Sequence, residues 1–217
     1  MTPATFSTVL LARRWLTENS IELRFQRPKG FEFTPGQYIR LYHETLERDY
    51  SLASGPDDPE LRLVVRVFPQ GQLSTFLSEI ADGTPLSFSG PMGYFIFQAS
   101  DRTPVFVATG TGVAPFVAMS RAGLKGYICL HGAKDHRGLL YRQDLEKNAS
   151  CYVPCLTEFA APDSSIYSGR VTAYLERLDT GRAYDFYLCG HQDMIHEAFG
   201  IIDDHFAKSH VHSEVFY

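Results

Sequence analysis

The run Pro104-Val105-Phe106-Val107-Ala108 passes straight into Thr109-Gly110-Thr111-Gly112-Val113-Ala114-Pro115, and a helical pattern follows over Phe116 to Leu124. No other stretch restricts the fold so much. An unbroken apolar run bounded by turn residues reads as a strand buried on both faces. Strand, glycine-rich turn and helix in that order open a βαβ unit. The glycines leave two readings open. They make a tight strand–helix turn, or they let a pyrophosphate approach the backbone at the positive end of a helix. Pro115 stands where a third glycine would complete Gly-x-Gly-x-x-Gly.

The alternation continues downstream. Tyr127 to Gly132, Tyr152 to Leu156 and Phe186 to Gly190 read as strands. Tyr141 to Lys147, Val171 to Leu178 and Asp193 to Ala207 read as helices, and His210 to Tyr217 as a last strand. Strands alternating with helices imply a parallel, doubly wound sheet, whose ligands bind at the carboxyl ends of its strands. Three glycine-bearing loops fall at such ends: Thr109–Pro115, His131-Gly132 and Cys189-Gly190. No His or acid flanks Cys189 as the partner of a nucleophile. It reads better as a small, polarizable wall for a flat ring. The chain closes on Ser213-Glu214-Val215-Phe216-Tyr217. Those aromatics pack in the core, or they dock on a ligand ring.

The first hundred residues follow another rule. Phe6 to Ala12, Ile21 to Phe25, Tyr38 to Tyr42 and Leu61 to Phe68 are strand-like and separated by Gly/Pro turns, which suggests an antiparallel barrel or sandwich. Among them lies Arg48-Asp49-Tyr50-Ser51, followed by Leu52-Ala53-Ser54. Arginine offers a planar fork for phosphate and tyrosine an aromatic body with a polar tip. Alone, the stretch is either a polar strand edge or the floor of an anion site. Further on, Gly71 to Thr75 begins a short helix with Leu73, Phe76, Leu77 and Ile80 on one face. Its first turn is a natural phosphate site, or is simply capped by Ser74 or Thr75. Leu86 to Phe95 closes this half. A polar bridge over 99–103 marks the domain boundary.

The chain has 217 residues, enough for two cores, and a net charge of −5. That balance disfavours nucleic acid and anionic membrane partners. No apolar run reaches the roughly 18 residues of a membrane span, and the N-terminus lacks a secretory pattern. Cys129, Cys151, Cys155 and Cys189 show no Cys-x-x-Cys spacing. A reducing, cytoplasmic compartment and no iron–sulfur centre are expected. His205, His210 and His212 lack a partner at ligand spacing, so no metal site is read there.

Five motifs in order resemble the ferredoxin–NADP reductase family over nearly the whole chain. They are Pro35-Gly36-Gln37-Tyr38, Arg48-x-Tyr50-Ser51, Gly71-x-x-Ser74, Gly110-Thr111-Gly112-x-Ala114-Pro115, and Cys189-Gly190 followed by Met194. The terminal Glu214-x-Phe216 resembles the tail of the flavohaemoglobin reductase portion. The resemblance implies two domains. An N-terminal six-stranded antiparallel Greek-key β-barrel for FAD would span 1–99. A C-terminal doubly wound parallel α/β sheet for the nicotinamide dinucleotide would span 103–217.

The resemblance also implies the sites. Arg48 and the turn Gly71, Gln72, Leu73, Ser74 would hold the flavin pyrophosphate. Tyr50 would flank the flavin ring, Ser51 would bond near its N5, and Val65 and Val67 would line the site. Phe216 or Tyr217 would cover the other flavin face. Thr109, Gly110, Thr111, Gly112, Ala114, Pro115, Gly190 and Met194 would bind NAD(P), with Cys189 facing the nicotinamide. Ser51, Cys189 and Glu214 are the expected catalytic group. FAD is favoured over FMN, because the Gly71 turn suits a dinucleotide flavin.

The implied activity is an FAD-dependent oxidoreductase that takes a hydride from NAD(P)H. It would pass electrons singly to a separate partner, a ferredoxin or an oxygenase component. Alternatives are a diaphorase or free-flavin reductase, and a flavin-binding relay subunit without nicotinamide activity. NADP-binding relatives often carry an arginine where this chain reads Thr157-Glu158. A carboxylate repels a 2′-phosphate and can bond a ribose diol, so NADH is favoured. Lys134 and Arg137, on the preceding loop, would still meet a phosphate.

Overall fold

In a computed structural model, which describes residues 4–158 and 165–215, the chain divides into two compact units. The first is Met1–Phe97 with Ala114–Ala122, and the second is Gln98–Val113 with Gly123–Tyr217.

The first unit is built on β1 (Thr5–Thr17), β2 (Ser20–Gln26), β3 (Tyr38–His43), β4 (Leu46–Ser51), β5 (Glu60–Arg66) and β6 (Pro85–Met92), with helix α1 (Gln72–Glu79) between β5 and β6. The six strands lie in the order β4-β3-β6-β1-β2-β5, every pair antiparallel. The two outermost strands also meet. Leu52, just past β4, bridges Leu63 of β5, and the Ala53 amide donates to the Arg62 carbonyl at 2.8 Å. The sheet is thereby closed into a barrel, which removes its free edges. Period-2 alternation fills the interior with Leu10, Leu23, Phe25, Ile39, Leu41 and Phe88, all at most 1% exposed. Helix α1 seats Leu73 and Leu77 on this core, and its C-cap residue Ile80 joins them.

The Pro35-Gly36 motif makes a tight turn into β3. The Gln37 amide donates to the Thr34 carbonyl at 3.0 Å, and Gly36 holds φ +102. Proline followed by a positive-φ glycine is the type II arrangement. A Cβ on Gly36 would strike the Phe95 carbonyl oxygen. The first unit also contains α2 (Ala114–Arg121), all of it buried except Arg121. Arg121 Nη1 donates to the Ala53 carbonyl at 3.0 Å, and Phe116 packs edge-on to Phe95.

The second unit is a parallel sheet of β7 (Thr103–Thr109), β8 (Ile128–Ala133), β9 (Cys151–Leu156), β10 (Tyr167–Ser168), β11 (Tyr184–Cys189) and β12 (His210–Glu214). Its order is β10-β9-β8-β7-β11-β12. Every residue of β11 is buried, as expected for a central parallel strand. Besides the short α3 (Arg142–Glu146), two helices, α4 (Val171–Leu175) and α5 (Gln192–His205), cover one face. They share a core with Val105, Val107, Leu130, Phe186 and Leu188. On the amino side of the sheet Asp185, 4% exposed, accepts from the Ser100 hydroxyl and lies 3.8 Å from Arg102 and 3.6 Å from His210.

Three expected elements differ. The helix expected to Leu124 stops at Arg121, before Gly123, which takes φ +91. The helix expected to Leu178 stops at Leu175. There the amides of Arg177 and Leu178 turn back to carbonyls three residues earlier, tightening the chain out of the α form. The two-residue β10 was not expected, being too short to carry a pattern.

Candidate functional site

In the first unit, the hairpin β3–β4 places the Arg48–Ser51 stretch on an outermost strand. Its register opposes Tyr38 to Ser51, Ile39 to Tyr50, Arg40 to Asp49 and Leu41 to Arg48. Opposed residues share a face, so Arg48 and Tyr50 lie on the side of the core residues Ile39 and Leu41. Asp49 and Ser51 lie on the other side. Arg48 is exposed at the end of that face and donates to the Glu47 carbonyl at 2.7 Å. Tyr50 is half-buried against the core. Burial pushes its phenol up to about 12, with the Arg48 charge pulling the other way. Ser51 is buried. Val65 is wholly buried in the barrel and Val67 packs on the same cluster, so the Val65 side chain is a core residue.

The Gly71 turn departs from one expectation. Neither Ser74 nor Thr75 caps α1; the N-cap is Gly71 and it makes no side-chain capping hydrogen bond. The Ser74 hydroxyl is instead spent inside the loop. It accepts from the Phe68 amide at 3.3 Å and donates to the Gly71 carbonyl at 3.1 Å. A Cβ on Gly71 would lie 2.4 Å from that hydroxyl. The helix start over Gln72, Leu73 and Ser74 is therefore uncapped, with its amides and positive dipole end suited to an anion. His43, at the end of β3, stacks on Phe76 of α1 at 3.4 Å between ring centroids. The residues present fit a phosphate-bearing flavin: an uncapped helix start, an exposed arginine and a half-buried phenol in one unit.

In the second unit the sheet order reverses direction after β10, and β7 and β11 flank the switch point. Ligands of open α/β sheets bind in the crevice at the carboxyl ends of such strands. The backbones there touch. A Cβ on Gly112 would lie 2.4 Å from the Cys189 carbonyl oxygen, and one on Gly190 would lie 2.2 Å from Thr109 Oγ1. Thr109 Oγ1 also accepts from the His191 amide at 3.0 Å. Gly132, opposite Thr109 in the β7–β8 register, would bring a Cβ within 2.9 Å of Thr109 Cγ2. All three glycine loops read from the sequence thus converge on Thr109. Gly110 differs: it is exposed, holds φ +55, and a Cβ there would meet nothing within 4 Å. Its backbone therefore presents an open face to solvent. Thr111 is half-buried beside it, while Ala114 and Pro115 are buried and start α2. Proline fits a helix start because no amide is needed there.

Cys189 is 1% exposed and opposite Glu214 in the β11–β12 register. Burial and then the Glu214 charge push its thiol well above the ordinary range, so it stays protonated. Met194 is buried in the core of this unit rather than at the rim. The Glu158 amide donates to the Lys134 carbonyl at 2.8 Å, and its carboxylate lies 3.3 Å from Lys134 Nζ. Asp135 takes Arg137 in a fork at 2.8 and 3.2 Å. Phe216 and Tyr217 lie outside the described residues. Among the described residues no group of three His, Cys, Asp or Glu is placed to hold a metal ion.

A closed antiparallel barrel with an uncapped helix start, and a parallel sheet with glycine loops at its switch point, define a class: two-domain oxidoreductases that hold a flavin and a nicotinamide dinucleotide. Residues 7–97 match the oxidoreductase FAD-binding domain, and residues 106–199 match the oxidoreductase NAD-binding domain. The chain belongs to the ferredoxin–NADP reductase family. It is 32% identical to the toluate 1,2-dioxygenase electron transfer component of Pseudomonas putida over 84% of this chain and 58% of that one. It is 29% identical to the naphthalene 1,2-dioxygenase system ferredoxin–NAD(P)(+) reductase component of the same species, over 93% and 66%. The chain thus spans less than two thirds of the length of these relatives. A crystal structure of a ferredoxin NADP+ reductase from Neisseria gonorrhoeae with bound FAD and NADP shares the fold. It has a TM-score of 0.82 and 20% identity, over 96% of this chain and 98% of that one.

Sequence reasoning missed Arg40, which pairs with Asp49 inside the arginine–tyrosine motif. A two-residue hairpin turn at Glu44-Thr45 would have predicted that opposition, since it places 43 against 46 and hence 40 against 49.

Proposed function

We propose that the chain is an FAD-dependent oxidoreductase that takes a hydride from NAD(P)H, with NADH favoured, and passes electrons singly to a separate acceptor. The acceptor is a ferredoxin or an oxygenase component. The observation that carries the reading is the meeting of Thr109–Gly112 with Cys189-Gly190 at the switch point. Bound flavin supplies the chemistry that joins a two-electron donor to one-electron acceptors. The protein's part is binding and orientation. Arg48 and the amides of Gln72, Leu73 and Ser74 hold the flavin pyrophosphate, Tyr50 flanks the ring, and Ser51 bonds near N5. The Gly110 face takes the dinucleotide pyrophosphate. Cys189, neutral and buried, offers an uncharged wall to the nicotinamide, with Glu214 beside it.

Preference for NADH is supported by the loop charges. Lys134 is paired with Glu158 and Arg137 with Asp135, so both cations near that position already face a carboxylate. Membership of oxygenase electron transfer systems among the relatives supports the choice of acceptor. The four cysteines are unpaired, which suits a cytoplasmic site of action. Among the described residues no helix is long and apolar enough to cross a membrane.

The test is anaerobic mixing of FAD-loaded protein with NADH and with NADPH. Rapid loss of flavin absorbance, faster with NADH, followed by reduction of an added ferredoxin, is the expected result. Protein that binds FAD but is not reduced by either nucleotide would refute the reading.

A further inference from the structure

We propose that Arg40 is a positioning residue for the flavin phosphate site: it draws off the two carboxylates that flank Arg48 and leaves Arg48 as the uncompensated cation of β4. The proposal rests on the assignment of Arg48 to the flavin pyrophosphate.

The local sequence poses a problem. Glu47-Arg48-Asp49 sets a cation between two acids. Two carboxylates one residue away would offset the charge of Arg48 and repel an incoming phosphate. The hairpin answers it. Arg40 lies directly opposite Asp49. Its Nε and Nη2 donate to the two Asp49 oxygens at 2.7 and 2.9 Å, and its Nη1 reaches Glu47 Oε1 at 3.3 Å. One planar fork thus holds both acids, which a lysine's point charge would not do with the same geometry. The pleat helps, because Arg40, Glu47 and Asp49 share the face away from the core. Arg48 sits on the other face and is exposed. Its hydrogen bond goes to the Glu47 carbonyl, and among the described residues no carboxylate pairs with it. The Asp49 hydrogen bond and charge in turn raise the Arg40 guanidinium further above its ordinary range, so the fork is always charged.

The test is FAD titration of the flavin-stripped full chain, read by flavin fluorescence at low and high salt, with thermal melts alongside. Arg40→Gln is expected to raise the FAD Kd about tenfold at low salt and less at high salt. The triple variant Arg40→Gln/Glu47→Gln/Asp49→Asn is expected to return within about twofold of the native Kd, because the acids that opposed binding are gone. Arg40→Lys, which keeps the cation, should stay within about threefold. A native Kd in Arg40→Gln overturns the proposal. So does a loss that persists in the triple variant, since that loss would be structural. Should Arg40→Gln fold too poorly to titrate, Glu47→Gln/Asp49→Asn with Arg40 intact decides: it is expected to bind FAD at least as tightly as the native chain, and weaker binding overturns the proposal. Arg48→Ala separates the two claims. If it leaves the Kd unchanged, the phosphate assignment of Arg48 has failed. If it weakens binding while Arg40→Gln does not, only the role of Arg40 has failed.

Discussion

Gly112 and Cys189 meet backbone to backbone: a Cβ on the glycine would lie 2.4 Å from the cysteine carbonyl oxygen. The obstacle is main chain of a fully buried strand, so it cannot swing aside as a side-chain tip would. Gly112→Ala should push the 110–113 turn away from β11 and cost about 1–3 kcal/mol of stability. Reduction of bound flavin by NADH should slow at least about tenfold, on the scale of a misplaced reactant. The flavin spectrum should survive, since the barrel is untouched. Stopped-flow reduction at the native rate would remove Gly112 from the nucleotide site.

Arg48→Ala should weaken FAD binding by about 1.5–3 kcal/mol, the range of a charge-assisted hydrogen bond. Because Arg48 is exposed and makes no ion pair among the described residues, its removal should leave the melting temperature of the flavin-free protein nearly unchanged. Fluorescence titration and a melt of the flavin-free chain check both halves.

Glu158→Gln releases Lys134 from its 3.3 Å partner and removes a carboxylate from the expected ribose position. The ratio of kcat/KM for NADPH over NADH should rise about fivefold, the size of an exposed charge pair. Steady-state rates with both nucleotides measure it, and an unchanged ratio would mean that the preference is set elsewhere.

His131 is fully buried and its Nδ1 lies 2.9 Å from the Tyr152 hydroxyl. Burial, aided by the Arg142 charge, lowers its pKa to about 3 from the ordinary 6.5. The unfolded chain therefore binds a proton that the folded chain refuses. Stability should be intact above pH 6.5 and fall by about 1.4 kcal/mol per pH unit below it, until about pH 3. His131→Gln should start less stable at pH 7 but lose less on moving to pH 5. Urea midpoints at the two pH values check this; equal losses in both proteins would show that other groups dominate.

Much of the fold was legible because its signals are local. Thr109 to Pro115 declares its turn by glycine and proline alone, and Val105 to Ala108 its burial by an unbroken apolar run. The Arg48–Tyr50 face was also readable from alternation. Other features depend on partners distant in sequence. Helix α2 is buried from Ala114 to Ser120, and residues it packs against, Phe95 and Gly36, lie far from it in sequence. Its anchor, Arg121 on the Ala53 carbonyl, spans 68 residues. Ser74 looked like a cap, yet three-dimensional closure of its own loop took the hydroxyl. Met194 has the spacing of the family motif, but the amphipathic stripe of α5 turns it into the core.

The placement of α2 with the barrel has a consequence for how this gene can be cut and recombined. The backbone crosses between the two units after Phe97, after Val113 and again after Ala122. A single cut after residue 97 would strand α2 on the wrong fragment, leaving Gly36 and Gly55 without the helix they were shaped to receive. Chimaeras that exchange the flavin module with a relative must therefore carry residues 114–122 across with it, as a graft of two non-adjacent pieces of sequence.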